Sequence, residues 1–111
     1  MKYSDEQRIQ KIYDYAVRLH DYISSNGITK VRLMNEVELQ WLVTTPLYNI
    51  GEHVYNLSRE YKVAHSDIQW SMVAGLRHRL VHDYEGTNWT IIAEVIFEEL
   101  PAFISQIKPL L

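Results

Sequence analysis

Cysteine is absent from this 111-residue chain. That excludes a disulfide framework and a thiolate-held metal, and it agrees with a reducing, cytoplasmic setting. Positive charge is not in excess: eleven Lys and Arg stand against fourteen Asp and Glu, a formal net charge of −3. Nucleic-acid binders are usually basic overall, so any such contact here must come from a local patch. No uncharged apolar run approaches the roughly 18 residues that span a bilayer, and Met1 to Glu6 lack the apolar stretch of a signal peptide. No membrane contact is therefore expected. Glycine and proline are sparse, at four and three, and no repeat, linker or low-complexity run divides the chain. What is abundant is apolar surface. Hydrophobic residues make up 47% and aromatics number thirteen, which excludes disorder. A chain of this length buries roughly two-thirds of its unfolded surface, enough for one domain over residues 1–111.

The apolar residues recur at helical spacing. Ser4 and Gln7 have the pattern of a capping box. Ile9, Ile12, Tyr13, Ala16, Leu19 and Ile23 then share one helix face, ended by Ser25-Asn26-Gly27. A second pattern from near Thr29 is clearest at Val43, Leu47, Ile50, Val54 and Leu57. Pro46 should bend or interrupt it, and Gly51 suggests close approach of another helix. Ser66 and Gln69 suggest the start of a third helix carrying Met72, Val73, Leu76 and Leu80, with Gly75 a second point of close packing. Asn88 is the expected N-cap of a last helix, kinked at Pro101. No segment alternates as a strand. The expectation is an all-α, antiparallel four-helix bundle.

The chemistry concentrates at Arg77-His78-Arg79-Leu80-Val81-His82-Asp83-Tyr84. Three readings fit it. A solvated basic helix end is the simplest, because cations stabilise a helix C-terminus. A metal site would use His78 and His82, four residues apart and on one face, but Arg77 and Arg79 flank the pair and would repel a cation. Phosphodiester chemistry is the third. A neutral histidine can take the proton of an RNA 2′-hydroxyl while an arginine stabilises charge on the attacked phosphate. Arg77 and His82 lie five residues apart, about 140° around a helix. They converge only where the helix is ending or where a second subunit completes the site. Glu52 either orients Arg77 from the neighbouring helix or is a surface carboxylate or an internal ion pair. Trp41, Trp70 and Trp89 are expected in the core or an interface. His20, His53 and His65 have no spacing that assigns them.

Arg77-(x4)-His82-x-Tyr84 resembles the Arg-x4-His-x-Tyr signature of HepT-type toxins, all-helical ribonucleases of the HEPN superfamily. Ile50-Gly51-Glu52, Trp70 with Ala74-Gly75-Leu76-Arg77, and Glu98-Glu99-Leu100-Pro101 resemble further segments of that family in the same order. The similarity covers nearly the whole chain. It implies a homodimer that cleaves RNA (tRNA or mRNA) without metal or cofactor, with Arg77 and His82 as the catalytic pair and a 2′,3′-cyclic phosphate product. It implies that Tyr84 accepts AMP from a cognate minimal nucleotidyltransferase antitoxin, in a type VII-like toxin–antitoxin module. His78 stands where the family often has Asn and would support the motif. Arg79 replaces a common apolar residue and would face outward as an RNA phosphate contact, and Glu85 replaces a frequent aromatic. The competing expectation is a non-catalytic accessory subunit that recruits substrate for a nucleotidyltransferase.

Overall fold

The computed structural model describes residues 2–82 and 86–111, the side chains of Val81 and His82 excepted. Among the described residues every regular element is helical. Helix α1 spans Asp5–Ser25. Its capping box forms as the sequence suggests: the Gln7 amide donates to Ser4 Oγ at 3.1 Å, and the Ser4 amide donates to Gln7 Oε1 at 2.8 Å. Ile9, Ile12, Ala16, Leu19 and Ile23 are buried along one face. The chain leaves α1 through Asn26 and Gly27, whose φ of +60° is the left-handed conformation that glycine tolerates.

Helix α2 (Lys30–Asn35) and helix α3 (Val37–Tyr55) are separated by one extended residue, Glu36. Carbonyls freed by that break find a partner in the Gln40 side chain, which donates to Leu33 O and Met34 O. The interruption thus falls ten residues before Pro46, and α3 is assigned as helix straight through the proline. Val43 before it and Leu47, Ile50 and Val54 after it are fully buried, and this continuous apolar face outweighs one lost backbone bond.

Helix α4 (Arg59–Ala64) was not evident from the apolar pattern, since it buries no residue fully. It is made by its cap. Ser58 Oγ accepts from the Tyr61 amide, and Asp5 accepts from both the Ser58 amide (2.8 Å) and Ser58 Oγ (2.7 Å), tying α4 to the start of α1. Helix α5 (Trp70–His82) starts three residues later than a cap at Ser66 would put it. Residues 65–69 form a turn, closed by the Ile68 amide and the Trp70 indole N–H, both donating to His65 O.

Asn88 caps helix α6 (Trp89–Glu94) as expected, accepting from the Thr90 and Ile91 amides. A π-helical turn, Val95–Glu99, then joins α6 to helix α7 (Leu100–Ile107). The Leu100 amide reaches back five residues to Val95 O, and Pro101, which has no amide hydrogen, follows at once. The irregularity anticipated at Pro101 is therefore an extra residue in the preceding turn. A short 3₁₀ turn, Lys108–Leu110, follows α7.

The expected helices fall on α1, on α2 with α3, on α5 and on the run from α6 through α7; with the break at Glu36 and the added α4, the described residues carry more helices than the four expected. Helix α3 packs against both α1 and α5. It runs antiparallel to α1, since Arg8 near the start of one meets His53 near the end of the other. Among the described residues no helix is long and apolar enough to cross a membrane.

Candidate functional site

Gly51 sets the geometry around Arg77. A Cβ placed on Gly51 would lie 2.8 Å from the Arg77 backbone nitrogen and 2.9 Å from the Arg77 Cβ. Only a residue without a side chain lets α3 and α5 approach so closely, and Arg77 is the point of contact. The second expected point of close packing differs. A Cβ on Gly75 would meet nothing within 4 Å among the described residues. Gly75 is on a more open side of α5, and no described residue of this chain requires a glycine there.

The approach at Gly51 puts Arg77 across from the last turn of α3. Arg77 Nε donates to Glu52 Oε2 in an ion pair whose side chains are each about one-third exposed. The other Glu52 oxygen accepts from Asn56 Nδ2 at 3.1 Å. The Arg77 guanidinium carbon lies over the Tyr55 ring, 4.6 Å from its centre. The Glu52 hydrogen bond raises the Arg77 pKa above its ordinary value, as do the negative charge of Glu52 and, last, the phenols of Tyr48 and Tyr55 once ionised. Arg77 is thus a fixed cation at neutral pH. With Nε engaged by Glu52, its terminal nitrogens carry the donors suited to a phosphate.

The remaining motif positions are less gathered. His78 and Arg79 are exposed on α5, and Arg79 contributes its carbonyl to a bond from Thr87 Oγ1. Helix α5 runs as far as His82, so Arg77 and His82 stand about 140° apart around one helix axis. Tyr84, together with Asp83 and Glu85, lies outside the described residues. Among the described residues no three His, Asp or Glu side chains come together as metal ligands. A cavity of about 240 Å³ at the other end of α1 is lined by His20, Gly27, Ile96 and Phe97 among others, and by none of the motif residues.

The match to known proteins follows the same ground. The family model for HepT-like ribonucleases, of the HEPN superfamily, matches residues 6–110. The chain belongs to this family. A candidate RNase of Caldanaerobacter subterraneus subsp. tengcongensis is 44% identical over 62 residues, which are 56% of this chain and 55% of that protein. The chain thus aligns with little more than half the length of that relative. A candidate RNase of Methanocaldococcus jannaschii is 29% identical over 90% of this chain and 84% of its own. A protein of Thermococcus cleftensis named as a HepT ribonuclease candidate is 28% identical over 64% of each chain. No solved structure matches.

Sequence reasoning left Glu52 open between orienting Arg77 and being a surface carboxylate or internal ion pair; the structure holds an ion pair with Arg77, which fits both the orienting and the internal-pair readings. Sequence reasoning missed Tyr48 and Tyr55. Both sit on the Glu52 face of α3, four residues before and three after, and that spacing was the available signal. Trp41 is neither core nor covered within this chain, at 60% exposed, whereas Trp70 is buried edge-on against Phe103. His53, unassigned from sequence, is buried and accepts from Arg8 Nη1 at 3.1 Å through Nδ1. Burial lowers its pKa, and the nearby charges of Arg8 and Lys11 add to that.

Proposed function

We propose that this chain is a metal-independent endoribonuclease toxin in which Arg77 and His82 carry out RNA cleavage. The observation that carries the reading is the Glu52–Arg77 ion pair at the Gly51 contact. A guanidinium held at one nitrogen and presented at a partly exposed surface suits a phosphate that gains charge in the transition state.

In the reaction, the His82 imidazole takes the proton from a 2′-hydroxyl. The 2′-oxygen attacks the adjacent phosphorus, and Arg77 stabilises the charge on the non-bridging oxygens. The bond to the 5′-oxygen breaks, that oxygen takes up a proton, and a 2′,3′-cyclic phosphate remains. Arg79 adds a phosphate contact on α5, and His78 supports the motif beside it. Residues 1–111 act as one HEPN-like domain.

Arg77 and His82 lie about 140° apart in backbone register on α5, a separation that a second copy of the chain would bridge, with the motifs facing across a cleft. Tyr84 is the acceptor through which a minimal nucleotidyltransferase would silence the toxin. Its phenolic oxygen would attack the α-phosphorus of ATP, pyrophosphate would leave, and the phenol proton would pass to solvent. A bulky anion beside Arg77 and His82 then excludes RNA by charge and by size.

The test is cleavage of labelled tRNA and mRNA by the purified chain beside Arg77→Ala and His82→Ala, all with a parent-like circular dichroism spectrum. Cleavage by the parent alone is expected. A His82→Ala protein that cuts as fast as the parent removes the assignment. A parent protein that is unmodified at Tyr84 by mass and still cuts nothing points instead to an accessory, substrate-recruiting subunit.

A further inference from the structure

Tyr55 is the last residue of α3, and the residue is 57% exposed although its ring lies against Arg77. Its carbonyl accepts from Lys62 Nζ at 3.2 Å, which ties it to α4. Glu52, one turn earlier, grips the Nε of the same arginine, and Tyr48, a further turn back, is half-buried on the same face. One stripe of α3 therefore carries a carboxylate that orients Arg77 and an aromatic ring that Arg77 covers only in part.

We propose that Tyr55 and the Arg77 guanidinium together form a stacking subsite for an unpaired RNA base next to the cleaved phosphate. This rests on the ribonuclease reading above and deepens it: the substrate is single-stranded at the site, held by one base as well as by phosphate. A net charge of −3 makes this useful. An acidic chain gathers little RNA through its overall field, and stacking supplies attraction that does not depend on it. Unpaired bases splay onto tyrosine rings and guanidinium planes because every base has a π face, whereas a base inside a helix is already stacked. Tyr55 is in this sense a binding residue, and through its contact with Arg77 also a positioning one.

The test uses the full chain with Tyr55→Phe and Tyr55→Leu. Binding is read by anisotropy on a fully 2′-O-methyl, single-stranded RNA that cannot be cut, and cleavage is read separately on the unmodified strand. Tyr55→Phe should bind within about twofold of the parent, and Tyr55→Leu roughly tenfold more weakly, chiefly as a rise in KM. An abasic site walked along the strand should weaken parent binding most at one position, and Tyr55→Leu should lose little more there. Equal binding by Tyr55→Leu and parent overturns the subsite even if the parent cleaves RNA. A fall in kcat alone, without coupling to any abasic position, reduces Tyr55 to positioning Arg77 and also overturns it. A change in sedimentation of Tyr55→Leu assigns the ring to a contact between subunits instead. A parent that binds the strand with this pattern and cleaves nothing keeps the subsite and removes the nuclease.

Discussion

Gly51→Ala and Gly75→Ala are the same chemical change on two neighbouring helices, and the structure gives them opposite signs. In a helix interior, alanine is favoured over glycine by about 1 kcal/mol. At Gly75 nothing among the described residues opposes that gain, because the added methyl meets none of their atoms within 4 Å. Gly75→Ala should stabilise the protein by about 1 kcal/mol. At Gly51 the methyl would sit 2.8 Å from the Arg77 amide nitrogen and 3.3 Å from its Cα. Ordinary contact is near 3.5 Å or more, so α3 and α5 must separate by roughly half an ångström or more. What blocks the methyl is backbone, which cannot swing aside as a side chain can. Overpacking of this kind costs about 1–3 kcal/mol, and a rigid obstacle places the cost near the upper end. After the helix gain, Gly51→Ala should destabilise by about 2 kcal/mol. The two variants then straddle the parent, with Tm about 4–8 °C higher for Gly75→Ala and about 10 °C lower for Gly51→Ala. Urea denaturation at one fixed protomer concentration measures both, which keeps any oligomerisation equal across the set. Gly51→Ala should also impair cleavage at temperatures where it is folded, because Arg77 moves relative to Glu52. A Gly51→Ala protein more stable than its parent would refute the close α3–α5 approach.

Three further outcomes are expected. Glu52→Gln keeps the shape of the side chain but removes its charge, so cleavage should fall by roughly ten- to a hundredfold with the fold intact; unchanged turnover would disconnect Glu52 from the site. His53 has a pKa lowered by burial, so the unfolded chain takes up its proton first. The stability from neutral His53 is present above the ordinary value of 6.5 and is lost as pH falls through 6.5 towards the folded value. Denaturation midpoints across that range should drop less steeply for His53→Gln than for the parent, and parallel slopes would count against it. Finally, mixing and refolding Arg77→Ala with His82→Ala should restore cleavage, because mixed dimers rebuild one intact site; no recovery despite subunit exchange would place both residues of each site in one chain.

Much of this architecture is legible in the sequence where local chemistry alone decides it. The Ser4–Gln7 capping box, the Asn88 cap and the buried face of α1 depend on spacings of three and four residues, and they form as read. The misreadings share a cause, which is competition from elsewhere in the chain. Ser66 and Gln69 have a capping pattern, but His65 draws the Ile68 amide and the Trp70 indole into a turn, and α5 starts later. Helix α4 has no buried stripe to betray it and depends on Asp5, more than fifty residues away. Gly51 and Gly75 look alike in sequence, and only the neighbour of each distinguishes them. At the site, the family signature points to Arg77. The Glu52 pair and the Tyr55 contact both cross from α3 to α5, so periodicity on one helix could suggest them without fixing them.

If RNA is cut by its own 2′-oxygen with protein side chains alone, the ends of the products carry the signature of that attack. The purified, unmodified chain would be incubated with a defined single-stranded RNA in excess EDTA, and the fragments analysed by mass. Fragments carrying 2′,3′-cyclic phosphate and 5′-hydroxyl ends, with no cut where the nucleotide 5′ to the scissile bond is 2′-deoxy, are the expected result. Cleavage that stops in EDTA, or that leaves 3′-hydroxyl and 5′-phosphate ends, would contradict the account.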